Sequence, residues 1–273
     1  MTPPLGEVLG TRVFALDGPA PRALLISDLH VPADGGEALV NLTAALAAAR
    51  RQAARLFVLG DLFDSYVARG QARRGVWAEV AARFQAATAA GTRIDLLLGN
   101  RDFLLGDEFV RRSGVRLVDG GLRGEIGGAD SLLLHGDELC LADLPYQRAK
   151  RWLRHGLTRW LARRLPVGVA LRVAERARQR SRMVIQRGDQ TRFLPTPAAF
   201  AAVLATGVDR LFFGHVHRHA RDVAHGRWYG LPAFDAGAVG YWLHDGRVES
   251  VRCAGAAGEL VSLPAPGALA EAP

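Results

Sequence analysis

Five short apolar runs in this chain each stop at a cluster of glycine, carboxylate, amide or imidazole residues, and that repeated ending constrains the fold more than any other feature. Arg22–Ser27 (RALLIS) leads into Asp28-Leu29-His30, and Arg55–Leu59 into Gly60-Asp61. Arg93–Leu98 leads into Gly99-Asn100-Arg101-Asp102, Ser131–Leu134 into His135-Gly136-Asp137, and Asp209–Phe213 into Gly214-His215-Val216-His217. Short apolar runs bounded in this way read as buried strands. Alanine-rich stretches, roughly 37–53 and 76–90, have helical composition. Short strands are also expected around Trp228–Leu231 and Val248–Arg252. Strands alternating with helices predict an α/β fold. In such folds ligand sites collect beyond the carboxyl ends of the strands. The five clusters therefore converge if their strands share a sheet or two facing sheets.

The clusters supply Asp28, His30, Asp61, Asn100, His135, His215 and His217. Carboxylate, amide oxygen and imidazole suit Mn, Fe or Zn, whereas a thiolate set would point elsewhere. Seven ligands exceed the needs of one ion and suit two, with a shared carboxylate, best assigned to Asp61, between ions about 3.5–4 Å apart. Gly60, Gly99, Gly136 and Gly214 let the chain turn sharply and approach closely at the strand ends. Asp-x-His or Gly-Asp alone carries no information. The alternative reading, histidines satisfied in the core or at the surface, does not account for five clusters that each follow an apolar run. His155, His219, His225 and His244 lack that support and are left out of the site.

The chain has 273 residues, 49% hydrophobic and 23% charged, which permits a sizeable core and excludes wholesale disorder. No apolar run reaches the roughly 18–20 residues of a membrane span. The start, MTPPLGEVLGTRVF, lacks a basic lead and apolar block, so a cytoplasmic location is expected. Two cysteines, Cys140 and Cys253, make no disulfide framework. The net charge of +8 is unevenly placed: between Tyr146 and Arg192, 14 Arg or Lys residues face two acids, Glu175 and Asp189. That +12 segment reads either as a surface for anions or as a solvated helical face. Leu153, Leu157 and Leu161 recur every four residues beside Trp152 and Trp160, among Arg148, Arg151, Arg154, Arg159, Arg163 and Arg164. A basic amphipathic helix of this kind can lie on an anionic membrane. The residues from 254 onward, rich in Ala, Gly and Pro, are expected to fray.

The ordered set of clusters resembles the calcineurin-like metallophosphoesterase superfamily over residues 22 to 250. The resemblance implies a single four-layer α/β sandwich, two central mixed sheets flanked by helices, spanning 1–273. It also implies a dinuclear centre, with Mn2+ as the first choice and Fe or Zn as alternatives. Asp28, His30, Asp61 and His217 would hold one ion; Asp61, Asn100, His135 and His215 would hold the other. The superfamily's usual Gly-Asn-His-Asp/Glu block has Arg101 here. An arginine does not give up its proton near pH 7, but it can grip phosphate by two parallel hydrogen bonds. That favours a leaving group needing little protonation, such as a phosphate monoester expelled from a pyrophosphate.

Gly-Asn-Arg-Asp-Phe-Leu-Leu-Gly (99–106), Gly-Asp-Leu-Phe (60–63) and His-Gly-Asp-Glu-Leu-Cys-Leu-Ala-Asp (135–143) with Tyr146-Gln147-Arg148 look like the UDP-2,3-diacylglucosamine pyrophosphatases of the lipid A pathway. That resemblance implies water attack at the α-phosphorus to give UMP and 2,3-diacylglucosamine 1-phosphate. It implies a basic helical lid, 146–192, over the acyl chains, and peripheral contact with an anionic inner-membrane surface. Asn100, Arg101, Asp143, Ser181 and His215 would meet substrate, and Asp102 would orient neighbouring histidine or arginine groups. The family's lid asparagine and lysine are Ile185 and Gly188 here, with Arg187 nearby, and Asp64-Ser65 replace Glu and a small residue. About 20 residues precede RALLIS, read as an added strand. Two other readings stay open: a nuclease or nucleotide phosphodiesterase of the same superfamily, and a scaffold that has lost its metals. The lid shows no base-stacking platform, which weighs against nucleic acid. No obligate protein partner is implied.

Overall fold

The structure is a computed structural model, and it describes residues 3–162, 164–173, 175–176, 190–235 and 237–269. The chain lays down two seven-stranded sheets. The first sheet carries β3 (Arg22–Ile26), β4 (Arg55–Val58), β5 (Ile94–Leu97), β6 (Arg116–Val118), β12 (Val239–His244), β13 (Arg247–Ala254) and β14 (Glu259–Ser262), in the order β14-β13-β12-β3-β4-β5-β6. Its β3, β4, β5 and β6 run parallel, with Leu24 opposite Leu56 and Leu56 opposite Ile94. The second sheet holds β1 (Gly6–Val8), β2 (Thr11–Ala15), β7 (Gly121–Ile126), β8 (Ala129–Leu134), β9 (Arg210–Phe213), β10 (Ala220–Arg221) and β11 (Trp228–Gly230), in the order β1-β2-β7-β8-β9-β11-β10. Here β8 and β9 are parallel neighbours.

The side-chain period of two in a strand assigns each face its layer. Leu24, Ile26, Leu56, Val58 and Leu96 pack outward on α1 (Gly36–Arg51), α2 (Gly75–Ala89) and α3 (Asp107–Ser113). Leu25, Phe57 and Leu97 face the other way, against Leu122, Leu133 and Phe212 of the second sheet. On the far side of that sheet Leu132, Leu134, Leu211 and Phe213 meet Ala199 and Val203 of the helix Pro197–Leu204. This is a four-layer sandwich of two mixed sheets between helices. α1 is built for its place: Ala38, Leu39, Leu42, Ala45, Leu46 and Ala49 recur at helical spacing and are buried. Glu37 in its first turn and Arg50 and Arg51 in its last complement the helix dipole.

Two expectations about the ends need correction. The tail does not fray from residue 254. β14 pairs with β13, placing Val251 opposite Ser262, and Arg221 N–H donates to the Gly267 carbonyl (2.9 Å). Gly258 explains why an Ala- and Gly-rich stretch docks. A Cβ there would strike the α1 backbone at Ala44 and Ala48, so the glycine permits contact. The stretch before RALLIS forms two strands, β1 and β2, a hairpin whose second strand runs parallel to β7.

Beyond β8 the chain enters α4 (Leu144–Leu153) and α5 (Gly156–Ala162). The Leu153-Leu157-Leu161 repeat therefore crosses a break at Arg154-His155 and does not mark one continuous helix. Ser181, Ile185, Arg187 and Gly188 lie outside the described residues. Among the described residues no helix is long and apolar enough to cross a membrane.

Candidate metal centre

The carboxyl ends of β3, β4 and β5 in one sheet and of β8 and β9 in the other meet at one edge of the sandwich. The loops that leave them are laced together through the backbone. Asp28 N–H donates to Gly60 O (3.1 Å), His30 N–H to Asp61 O (3.0 Å) and Gly214 N–H to His135 O (2.8 Å). Asp28, His30, Asp61, His215 and His217 all have left-handed backbones, with φ between 46° and 66°. Non-glycine residues seldom adopt that region, and such strain concentrates at functional sites. Gly99 and Gly214 are needed for close approach. A Cβ on Gly99 would collide with Asp61, and one on Gly214 with Ser27 Oγ and Asp28 Oδ2.

Two groups of ligand atoms result, Asp28, His30 and His217 in one and Asp28, Asp61 and His135 in the other. His217 Nε2 lies 3.4 Å and His30 Nε2 3.9 Å from Asp28 Oδ1. Asp61 stands between the halves, with Oδ2 3.6 Å from His30 Nε2 and Oδ1 3.8 Å from His135 Nε2. Asn100 Oδ1 is 2.9 Å from His135 Nε2 and 3.1 Å from His215 Nδ1. All seven expected ligand residues thus surround one hollow.

Neighbouring groups fix how these ligands face. Asp28 Oδ2 accepts from Ser27 Oγ (2.6 Å) and His215 N–H (2.8 Å). Its Oδ1 is buried with no hydrogen-bond partner, and so is His30 Nε2. His135 Nδ1–H donates to the Leu59 carbonyl (2.8 Å), which leaves Nε2 for the hollow. His30 Nδ1 lies 3.4 Å from Asp235 Oδ2 on a loop that Asn41 holds through the Asp235 carbonyl (2.8 Å). A carboxylate behind a ligating imidazole sets its tautomer and direction.

The electrostatics call for cations. Burial opposes protonation of His135, yet the carboxylates of Asp61, Asp137, Asp28 and Glu138 together lift its pKa to about 9. Burial likewise opposes charge on His30, and Asp61 and Asp28 outweigh it. Asp28 and Asp61 titrate below the usual carboxylate range; burial opposes this, but the surrounding imidazoles prevail. His215 shifts down, through burial and then the charge of His135. Two buried, unpartnered ligand atoms beside paired carboxylates, imidazoles and an amide oxygen fit divalent ions of the Mn, Fe or Zn type.

Arg101 sits on the rim. Its backbone N–H donates to Asp61 Oδ1 (2.9 Å), its Nε lies 3.5 Å from Asp61 Oδ2, and its Nη1 donates to Asp64 Oδ1 (2.5 Å). Asp102 departs from the expected role. Its oxygens accept from Gly99 N–H (2.9 Å) and Leu62 N–H (2.7 Å), so it staples the β5 loop to the β4 loop, and among the described residues it takes no hydrogen bond from a histidine or arginine side chain. Burial, then repulsion from Asp61, raises its pKa to about 7. Asp143, expected to touch a sugar, accepts from Tyr146 N–H (3.4 Å) as the N-cap of α4. His219 and His244 lie away from the hollow, against Ser250 and Glu249 respectively.

The basic segment is partly spent on docking. Lys150 Nζ donates to Asp137 Oδ1 (2.9 Å) and Glu138 Oε1 (3.1 Å), and Tyr146 Oη to Asp137 Oδ2 (2.5 Å). Arg154 reaches the Gly99 carbonyl (3.3 Å), and Arg159 donates to Asp119 (2.5 Å). These bonds clamp α4 over the β8 and β5 loops and α5 on the turn after β6. Trp152, Leu157, Trp160 and Leu161 stay more than half exposed. Beneath α5, a cavity of about 410 Å³ is lined by Tyr66, Leu104, Trp160 and Arg164 among others. Ser27, Asp64, Asp137 and Asp235 touch the site residues or the helices over them, contacts to which sequence reading assigned no role. Ser27 and Asp64 flank recognised motifs, whereas Asp235 is distant in sequence and reaches His30 only through the fold.

The family model for calcineurin-like phosphoesterases matches residues 21–219. The UDP-2,3-diacylglucosamine hydrolase of Azotobacter vinelandii is 36% identical over 198 residues, 72% of this chain and 82% of that protein. The protein of the same name from Pseudomonas aeruginosa is 34% identical over the same shares. A solved Vacuolar Protein Sorting 29 from Cryptosporidium parvum is 14% identical and covers 90% of this chain and 99% of its own, with a TM-score of 0.40, too loose a likeness to inform the site. The family match over residues 21–219 and the two hydrolase relatives settle the family: the chain belongs to the calcineurin-like phosphoesterases.

Proposed function

We propose that this chain is a metal-dependent hydrolase that cleaves UDP-2,3-diacylglucosamine at its pyrophosphate, giving UMP and 2,3-diacylglucosamine 1-phosphate. The observation that carries the chemistry is the ligand hollow, where Asp28 Oδ1 and His30 Nε2 are buried without partners between two sets of imidazoles. The substrate comes from the relatives' names, which are those of UDP-2,3-diacylglucosamine hydrolases. Asp28, His30, Asp61 and His217 would hold one divalent ion and Asp61, Asn100, His135 and His215 the other, with Mn2+ the preferred metal. When bound, such a pair lowers the pKa of a water and offsets charge gathering on a phosphoryl group.

The chain's own residues supply the remainder. Asp235 holds His30, and Leu59 O holds His135, so that both imidazoles present Nε2. Arg101, a third exposed at the rim, grips the phosphate oxygens. It donates no proton to the leaving oxygen, and a sugar 1-phosphate expelled from a pyrophosphate needs none. The exposed Trp152 and Leu157 suit acyl chains, beside a cavity that mixes Tyr66, Leu104 and Trp160 with Asp107, Glu108 and Arg164. Arg148 and Arg164 beside them suit anionic head groups at the cytoplasmic face of a membrane. Ser181 belongs to the same lid proposal.

The test is a hydrolysis panel with Mn2+ present. It compares UDP-2,3-diacylglucosamine, its monoacyl form, other nucleotide sugars, cyclic nucleotides and single-stranded DNA. A marked preference for the acylated sugar supports the reading. Equal rates on simple diesters, or cleavage of DNA with steep salt dependence, refutes it in favour of a general phosphodiesterase.

A further inference from the structure

Arg101 stands in an awkward place for a phosphate-gripping group. Its Nε is 3.5 Å from Asp61 Oδ2, on the carboxylate that the two divalent ions of the proposed site would share. A guanidinium free to settle there would compete with the ions for Asp61 and turn its donors away from incoming phosphate. One side chain opposes that. Asp64 Oδ1 takes Nη1 at 2.5 Å from the outer side, and 39% of the Asp64 side chain is exposed against 3% for Asp61. The loop that carries Asp64 is itself fixed. Asp64 N–H donates to Val31 O (3.2 Å), Val31 bridges Phe63, and Tyr66 N–H donates to Arg101 O (3.1 Å). The carboxylate that anchors the guanidinium is thus set by the same loops that set the metal ligands.

We infer that Asp64 is a positioning residue for phosphate recognition: it draws the Arg101 guanidinium off the Asp61 carboxylate and holds its remaining donors toward the entering phosphate. This rests on the hydrolytic reading of the site. It reaches the reaction only through Arg101, so its effect disappears when Arg101 is absent. Displacement of a positioned group by about 1 Å can cost up to about 100-fold in rate. An intermediate loss, about 10- to 100-fold in kcat/KM, is expected for Asp64→Ala, with much of it recovered by Asp64→Glu, which keeps the charge and the acceptor.

The experiment is a double-mutant cycle of Asp64→Ala and Arg101→Ala on the metal-loaded full chain, with metal content measured for each variant. Rates are read on UDP-2,3-diacylglucosamine and on bis(p-nitrophenyl) phosphate, and affinity for inorganic phosphate by calorimetry. The expected result is that each single change lowers the signal, the double variant is no worse than Arg101→Ala, and metal content holds. Additive losses, a wild-type-like Asp64→Ala, or failure of Asp64→Glu to recover would overturn the inference. A wild type inactive on the nucleotide sugar but active on the diester sinks the substrate reading alone, and the cycle is still read on the diester and on phosphate.

Discussion

Asp137 joins the metal centre to the helices above it, and replacing it by asparagine should loosen those helices without dismantling the sandwich. The carboxylate is fully buried. It accepts from Lys150 Nζ at 2.9 Å and Tyr146 Oη at 2.5 Å and has Arg154 Nη2 at 3.7 Å. Hydrogen bonds to a charged group are worth about 1.5–3 kcal/mol each. Removing one partner of a buried ion pair costs about 3–5 kcal/mol. The isosteric amide keeps one acceptor oxygen and turns an N–H2 group toward the other donor. Glu138 still holds Lys150 at 3.1 Å, which places the cost at the low end, about 3 kcal/mol. At about 1.4 kcal/mol per factor of ten, α4 should open about 100-fold more often. Amide hydrogen exchange of α4 reads this directly as faster exchange through local opening. In the wild type, burial opposes ionisation of Asp137, but Lys150 and Arg154 hold it well below the usual range. A depressed carboxylate contributes fully above its unfolded pKa, about 3.9, and loses that contribution only as pH falls through the lower folded value. Wild-type α4 protection, corrected for intrinsic exchange, should therefore stay level from pH 7 to pH 5. Unchanged α4 exchange in Asp137→Asn, or equal acceleration throughout both sheets, would refute this account of the clamp.

Asp235→Asn should weaken binding of Mn2+ or Zn2+ about 10- to 100-fold, because His30 loses the carboxylate that orients it; calorimetric titration giving the wild-type affinity would contradict that role. Gly214→Ala should lower stability by about 1–3 kcal/mol, the cost of overpacking, since the added methyl would meet Ser27 Oγ and Asp28 Oδ2. An unaltered melting temperature would show that the loops do not need that approach. Leu157→Asp places charge on a residue 61% exposed, so the fold should hold. Hydrolysis of the diacylated substrate should fall more than that of a water-soluble analogue, and equal falls would reduce α5 to a structural helix.

What the sequence disclosed best was what local pattern controls. The five strands that carry ligands each end in buried apolar residues, and each motif follows closely on its strand. β12 carries no clear strand pattern although it lies at the centre of its sheet, between β13 and β3. Its sequence, Val-Gly-Tyr-Trp-Leu-His, contains a glycine that a strand pattern disfavours. Gly240 is required there because a Cβ would strike the Leu25 carbonyl of β3. The tail is illegible for a related reason: composition reads glycine as disorder, while Gly258 is small enough to touch a helix backbone. The basic segment was legible as charge but not as destination. Nothing in the sequence tells that Lys150, Arg154 and Arg159 are taken up by Asp137, Glu138, the Gly99 carbonyl and Asp119.

The ligand residues themselves show why this site is rigid before any ion arrives. Five of them hold left-handed backbone conformations, at a cost of order 1–3 kcal/mol each. Glycine would relieve that strain, but glycine carries no ligand atom, so the strain cannot be removed without removing the site. It has to be offset by contacts that specify the same geometry. Those contacts cross from loop to loop: Asp28 N–H on Gly60 O, His30 N–H on Asp61 O, Arg101 N–H on Asp61 Oδ1 and His215 N–H on Asp28 Oδ2. Asp28 and Asp61 therefore each have two duties, one oxygen tying a neighbouring loop through its N–H and the other turned into the hollow. Substituting either one removes a ligand and unties a loop together. Stability and metal affinity should accordingly fall as a pair at those two positions, whereas His217, 39% exposed, ties no neighbouring loop's N–H through its side chain among the described residues and separates the two quantities.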